Sequence, residues 1–190
     1  MKEDRRPEIL DATCRVIARV GIHDLYIRHV ADEAGVSRAL VSYYFPTRAE
    51  LLAAALAHAE VRAIDEIGDR TRGGTAPERI EETLLLEIDD SPAVRDNWII
   101  WSEMTEMAFF DESFRPSMSL WSQRWIDNLA AMIREGQAEG TVPIDLDAVA
   151  AAERLTAAVD GIGLRWLLCH TSRDRAHQLL KGAVASELRL

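Results

Sequence analysis

Apolar residues recur at helical spacing along almost the whole chain, and nowhere do they alternate long enough to suggest a strand. The first stripe is Ile9, Thr13, Val16 with Ile17, and Val20, at i, i+4, i+7 and i+11. It predicts a helix over 6–20, ended by Gly21 with Ile22 packing back. A second helix over 27–34 ends at Gly35, and Ser37 is placed to cap a third over 38–44. Pro46 stops the third. Thr47-Arg48-Ala49-Glu50 is a capping box that opens a long fourth helix, to about residue 70. Arg72-Gly73-Gly74 breaks it, and Thr75-Ala76-Pro77-Glu78 starts a fifth, to about residue 88. Ser91-Pro92 opens a sixth, and Pro116 lies near the start of a seventh that ends by Gly140. Asp145 starts an eighth, to about residue 169, and Thr171 or Ser172 caps a ninth. The order predicts an all-α chain of nine helices in two domains, a head over 1–46 and a body over 47–190. No Gly/Ser-rich linker separates them, so the fourth helix is a stiff connection.

The head carries the functional signal. Ala31 is small where two helices must nearly touch, Gly35 comes where the chain must turn, and Val41 faces back into the gap. Val30, Ala34 and Val36 complete the apolar side. This is the spacing of a helix-turn-helix, whose second helix can enter the DNA major groove. The third helix offers Ser37, Arg38, Ser42 and Tyr43 on its exposed side, with Tyr44 and Arg48 just beyond. Arginine suits bidentate contact with guanine, and Tyr, Ser and Thr suit phosphate. The competing reading makes Tyr43, Tyr44 and Phe45 a core corner. Three consecutive aromatics cannot all face inward, so Phe45 is assigned to the core and the two tyrosines to phosphate.

The net charge of −10 looks wrong for a DNA binder until it is divided. Residues 1–48 hold eight Lys/Arg and seven Asp/Glu, net +1, and the remainder carries −11. The acid therefore sits outside the DNA-reading segment, and screening limits its reach to roughly 8–10 Å at cellular salt. No apolar run approaches the roughly 18 residues of a membrane span, and the N-terminus lacks the apolar stretch of a signal peptide. Cys14 and Cys169 form no CxxC. A cytoplasmic protein without membrane attachment, disulfide framework or structural metal is expected.

The string Ala31, Gly35-Val36-Ser37, Val41-Ser42-Tyr43-Tyr44-Phe45, Arg48 and Glu50-Leu51-Leu52 resembles the TetR family of bacterial repressors. The resemblance implies an all-α homodimer whose heads bind adjacent major grooves of a near-palindromic operator and whose body binds a small-molecule inducer. Carried over by position, it makes Arg28, Ser37, Arg38, Ser42 and Tyr43 base or phosphate contacts, and Tyr44, Thr47 and Arg48 phosphate contacts. One departure stands out. The family usually has Thr or Ser, which caps the second helix and reaches a phosphate, where this chain has Tyr26. Tyrosine cannot cap that way. Asp24 is a substitute of different geometry whose charge would repel phosphate.

All five tryptophans lie in the second half. Trp98 and Trp101 are three apart on helix six. Met118, Trp121, Trp125 and Leu129 form a stripe on helix seven, and Leu155, Val159, Ile162 and Trp166 form one on helix eight. A stripe at this spacing is ordinary bundle core, or else a cavity walled by aromatics with Met104, Met107 and Phe110 as adaptable edges. Asp160 interrupts an apolar stretch and needs a partner, either an interhelical hydrogen bond or a cationic ligand. The set Trp98, Trp101, Trp121, Trp125 and Asp160-Gly161 is similar to the choline-responsive repressors within that family. Aromatic faces with a carboxylate hold quaternary ammonium groups. The candidate effector set is Trp98, Trp101, Met104, Trp121, Trp125, Asp160 and Trp166, for a cationic or an aromatic, hydrophobic molecule.

Small residues on helix eight, Ala150-Ala151-Ala152, Ala157-Ala158, Gly161 and Gly163, allow close approach of another helix. Leu179, Leu180, Val184 and Leu188 give helix nine an apolar face, so helices eight and nine are the expected dimer interface. A membrane-surface role for helix nine is disfavoured by its mixed charge. No nucleotide, hydrolase or zinc motif is present, and His23, His29, His58, His170 and His177 form no ligand cluster. Glu81, Glu82, Glu87, Asp89 and Asp90 read as solvated surface. The chain is therefore expected to be a non-enzymatic regulator that uses no cofactor. The alternative is a helical dimeric binding module with a vestigial head.

Overall fold

The computed structural model describes residues 4–71 and 73–190, and residues 63–70 by their backbone alone. Arg72, the first residue of the predicted helix break, lies outside the described residues. Among the described residues there are nine α-helices: α1 (Arg6–Val20), α2 (Ile27–Ala34), α3 (Arg38–Tyr44), α4 (Arg48–Arg70), α5 (Ala76–Leu86), α6 (Pro92–Phe110), α7 (Arg115–Glu139), α8 (Ala148–Leu167) and α9 (Arg173–Leu188). A short 3-10 turn, Glu112–Phe114, separates α6 from α7, and the periodic pattern did not anticipate it. Asp111 starts that turn by accepting from the Ser113 N–H at 2.9 Å.

Several helix starts follow side-chain capping. Thr47 accepts from the Glu50 N–H at 3.1 Å, and Ser172 from the Arg175 N–H at 3.2 Å. Thr75 and Glu78 close a reciprocal box, with the Thr75 N–H 2.8 Å from the Glu78 carboxylate. Each such cap stabilises its helix by about 0.5–2 kcal/mol. Helix α8 begins later than expected. Its cap is Asp147, which accepts from Val149 and Ala150, while Asp145 pairs with Arg189 at 2.9 Å.

The chain divides into two compact units. The first comprises residues 1–64 and 96–119. Its core includes Ile9, Ile17, Ile22, Val30, Val41, Leu51, Leu52, Leu56, Ile100 and Met104, all fully buried. Each such side chain stabilises the fold by about 1.5–3 kcal/mol. Helix α2 packs on both α1 and α3. Helix α1 is tied to α4 by Cys14, whose thiol points at the Ala55 carbonyl, and by Asp11, which meets His58 at 2.8 Å and Arg62 at 2.9 Å. Burial pushes the Asp11 carboxyl up, but His58 and Arg62 together outweigh it and hold it low. Burial also pushes the Cys14 thiol up to about 12, so it is chemically inert.

The second unit comprises residues 65–95 and 120–190. Its core holds Ile80, Leu84, Ile88, Leu129, Ile133, Leu155, Val159, Leu180, Val184 and Leu188. Helix α9 packs on α8 and α5. Leu180, Val184 and Leu188 face inward as the stripe predicts, whereas Leu179 is exposed. His177 is not a plain surface residue: it is half-buried and its Nε2 lies 2.7 Å from the Ile88 carbonyl. Nor is the acidic run merely solvated. Glu81 pairs with Lys181, and Arg173 lies 3.9 Å from both Asp89 and Asp90.

Candidate DNA interface and the predicted effector residues

Gly35 makes the helix-turn-helix turn with φ +65° and ψ 34°, a left-handed conformation that glycine adopts without a Cβ clash. The Val36 N–H then returns to the Ala31 carbonyl at 2.9 Å. Val30, Ala31 and Val41 close the inner side of the motif and are buried. Ser37 caps α3 by accepting from the Leu40 N–H at 3.2 Å, which leaves its hydroxyl proton available. Phe45 is buried, as the aromatic argument requires.

The outer side of α3 is different. Ser37, Arg38, Ser42 and Tyr43 are all exposed, Tyr43 by 78%. Among the described residues, neither Arg38 nor Ser42 has a side-chain partner. Tyr43 touches only the edge of Tyr44, at 5.5 Å between ring centroids. Tyr44 is half-buried, and its hydroxyl oxygen receives the Arg5 N–H at 3.4 Å. The Arg6 guanidinium lies over the Phe45 ring at 5.1 Å.

Other head cations are already engaged. Arg15 and Arg19 both pair with Glu33, at 2.8 and 2.9 Å, and hold its carboxyl below the usual range. Arg48 donates to the Ile22 carbonyl, in the connection between α1 and α2. The N–H of the same residue donates to the Glu103 carboxylate of α6 at 2.7 Å. Both polar groups of the buried Ile22 peptide are thus satisfied by charged side chains from later in the chain. Gly21 precedes it with φ +76°, and a Cβ there would meet the Glu103 carboxylate at 3.3 Å. Glu103 was not singled out by its sequence, because nothing in the local pattern sets it apart from Glu106 on the same helix.

Tyr26 stands at the N-cap of α2 with extended backbone, and no side chain caps this helix. Asp24 therefore does not replace the missing cap. The Tyr26 ring instead lies under the Arg28 guanidinium at 4.6 Å and meets the His29 ring edge-on at 5.4 Å.

The predicted effector residues fall into both units. Trp98, Trp101 and Met104 belong to the first: Trp98 and Met104 are buried and Trp101 is half-buried. Trp121, Trp125, Asp160 and Trp166 belong to the second. There, Arg124 lies over Trp121 at 4.6 Å. Trp166, 3% exposed, has Arg95 over its face at 5.0 Å and donates its indole N–H to Asp90 at 3.2 Å. Both rings already hold a cation of the chain itself, while Trp125 is half-buried.

Asp160 is not the buried carboxylate expected from its apolar neighbours. It lies at the flank of the buried arc of α8, on the exposed side, next to Gly161 with open space beside it. Neighbouring atoms still displace enough water to raise its carboxyl. A second carboxylate fits the original argument better. Glu60 continues the buried α4 stripe Leu52–Leu56, and among the described residues no cation pairs with it. Desolvation pushes its carboxyl up to about 7. The 52–56–60 spacing is legible in the sequence, but the sequence reading did not single out Glu60.

Comparison with known proteins bears directly on this architecture. Residues 9–55 match the family model of bacterial regulatory proteins of the tetR family, and residues 76–189 match that of the BetI-type transcriptional repressor C-terminal domain. The chain is 27% identical to the regulator BetI of Escherichia coli, over 99% of this chain and 96% of that one. The solved structure of a TetR-family regulator from Rhodococcus sp. superposes with a TM-score of 0.91 at 35% identity, covering 97% of this chain and 98% of that one. A transcriptional regulator from Saccharomonospora viridis, solved in complex with choline, superposes with a TM-score of 0.82 at 29% identity over 95% of each chain. With its helix-turn-helix head and its BetI-type C-terminal domain, the chain belongs to the TetR family of DNA-binding transcriptional regulators.

Proposed function

We propose that the protein is a homodimeric repressor whose grip on a near-palindromic operator is set by a small cationic effector. The observation that carries the DNA-reading half is the outer side of α3, where Arg38, Ser42 and Tyr43 are exposed and, among the described residues, tied to nothing beyond the tyrosine edge contact. Ser37 and Thr47 keep a hydroxyl proton for phosphate while capping their helices. Arg28 supplies a further phosphate contact, and Tyr44 lends its hydroxyl. Arg48 is a phosphate contact only if it gives up part of its bond to Ile22.

The dimer reading is supported by α8 and α9. Ala157, Gly161 and Leu164 on α8, Leu168 just past its end, and Leu179 and Gly182 on α9, are exposed. A Cβ at Gly161 or Gly182 would meet no atom of the described residues within 4 Å. Glycine inside a helix costs about 1 kcal/mol relative to alanine, and nothing within the protomer offsets that. Close approach of a second copy's helices does.

The effector reading is supported by Trp98, Trp101 and Glu60, which share the first unit, and by the choline held in the Saccharomonospora relative. A quaternary ammonium needs aromatic faces and a carboxylate. Helix α6 bears both tryptophans and also Glu103, which holds the Ile22 N–H at 2.7 Å. A shift of α6 would reach the head through that bond, and a coupling of about 1–3 kcal/mol changes DNA affinity roughly 5–150-fold. Titration of tryptophan fluorescence with choline, tetramethylammonium and the neutral isostere 3,3-dimethylbutanol tests the effector class. Quenching by the cations alone, lost in Trp101→Ala and Glu60→Gln, is expected. No response to any cation would remove the cationic effector and leave the DNA-binding assignment standing.

A further inference from the structure

We infer that Tyr26 is a positioning residue for DNA binding, its ring holding the Arg28 guanidinium ready for a backbone phosphate. This rests on the reading of Arg28 as a phosphate contact. Three observations converge on it. Tyr26 occupies the N-cap of α2, yet its side chain makes no capping bond and its ring is free of that role. It lies 51% exposed beneath the Arg28 guanidinium at 4.6 Å, which places a delocalised cation flat on an aromatic face. Arg28 Nε donates to His29 Nε2 at 3.3 Å, and the Tyr26 ring braces that same imidazole edge-on at 5.4 Å.

The consequence is specific to the guanidinium. Its face is covered by Tyr26 and its Nε is occupied by His29, so the paired Nη1 and Nη2 groups are the donors left over. Those two N–H edges are the ones that match phosphate oxygens side by side. An unsupported arginine on an exposed helix would have to give up rotamer freedom on meeting DNA, whereas this one is already ordered. His29 is half-buried, and its contacts to the clamp are the Nε2 acceptor and the edge-on ring; its Nδ1 is buried with no hydrogen-bond partner among the described residues. Tyr26, Arg28 and His29 thus form one exposed clamp at the start of α2. Its charge comes from Arg28 and its geometry from the two rings.

The test is operator affinity by fluorescence anisotropy over a salt series, with melting curves recorded for every variant. Arg28→Ala should weaken binding roughly tenfold or more and lower the log–log salt slope by about 1 for each head. Tyr26→Ala and Tyr26→Leu should each weaken binding about two- to fivefold per head, with an unchanged melting temperature. Tyr26→Phe should match the wild type, and Tyr26→Ala should cost nothing more once Arg28 is alanine. An equal loss from Tyr26→Ala in both backgrounds would overturn the positioning role. So would Tyr26→Phe binding as poorly as Tyr26→Ala, because the hydroxyl would then be making its own contact. No loss from Arg28→Ala would strike the phosphate reading itself, a failure distinguishable from either of these.

Discussion

The outer side of α3 and the surroundings of Trp166 were both singled out for function, and the fold treats them in opposite ways. Arg38 and Ser42 are left without a protein partner among the described residues. Trp166 has its indole N–H on Asp90, its face under Arg95 and 3% of its surface exposed. A side chain whose hydrogen-bonding and stacking capacity is already met inside the protein holds the structure together. One whose capacity is unmet at the surface is available to a partner. The same distinction divides the cations of the head, where Arg15 and Arg19 are held by Glu33 and Arg38 is left without a partner among the described residues.

The comparison is broken most severely by removing a residue of the engaged kind. Trp166→Ala should destabilise the second unit by about 3–5 kcal/mol, because it opens a cavity and removes the hydrogen bond to Asp90 and the ring face under Arg95. Half-buried Trp125→Ala should cost much less, and equal urea midpoints for the two variants would contradict the contrast. Arg38→Ala should do the reverse. It should weaken operator binding by about 1–3 kcal/mol at each half-site while leaving the melting temperature and dimer unchanged. A lower melting temperature would mean that Arg38 is structural after all.

Glu103→Ala sits between the two kinds. It exposes the Ile22 N–H to no partner, so a stability loss of about 1–3 kcal/mol is expected. If α6 signals through this bond, effector binding should persist while its influence on DNA affinity collapses. Intact coupling in a folded Glu103→Ala protein would place the route elsewhere.

Glu60 gives an effect whose sign can be checked. Its carboxyl is raised to about 7 in the folded state, so the native protein holds that proton more tightly than the unfolded chain does. Stability should therefore fall as pH rises from the ordinary glutamate range through about 7. Glu60→Gln should flatten that fall and raise the melting temperature at pH 8. A steeper decline in the variant would contradict the desolvated site.

Much of this was legible in the sequence because it depends on local spacing. Gly35, Ser37, Thr47 and Thr75 mark helix ends through contacts within a few residues, and the boundaries of α1 through α3 fall where those signals put them. Ambiguity entered wherever distant segments decide. Asp160 looked buried because its chain neighbours are apolar, but the helical arc places it at the flank. Arg48 was read as a phosphate contact from its position just beyond the third helix, and its side chain donates to the distant carbonyl of Ile22. Asp90 looked solvated, and its partner is Trp166, more than seventy positions away. Pairings of this range leave no local pattern.

The central claim is that the unengaged side chains of α3 read DNA. Selection from random-sequence duplexes, run in parallel with the wild type and Arg38→Ala, tests it most directly. A near-palindrome from the wild type, with half-sites about 34–36 Å apart and one position relaxed in Arg38→Ala, is the predicted result. No enrichment by the wild type, or the same motif at full stringency from both proteins, would contradict it.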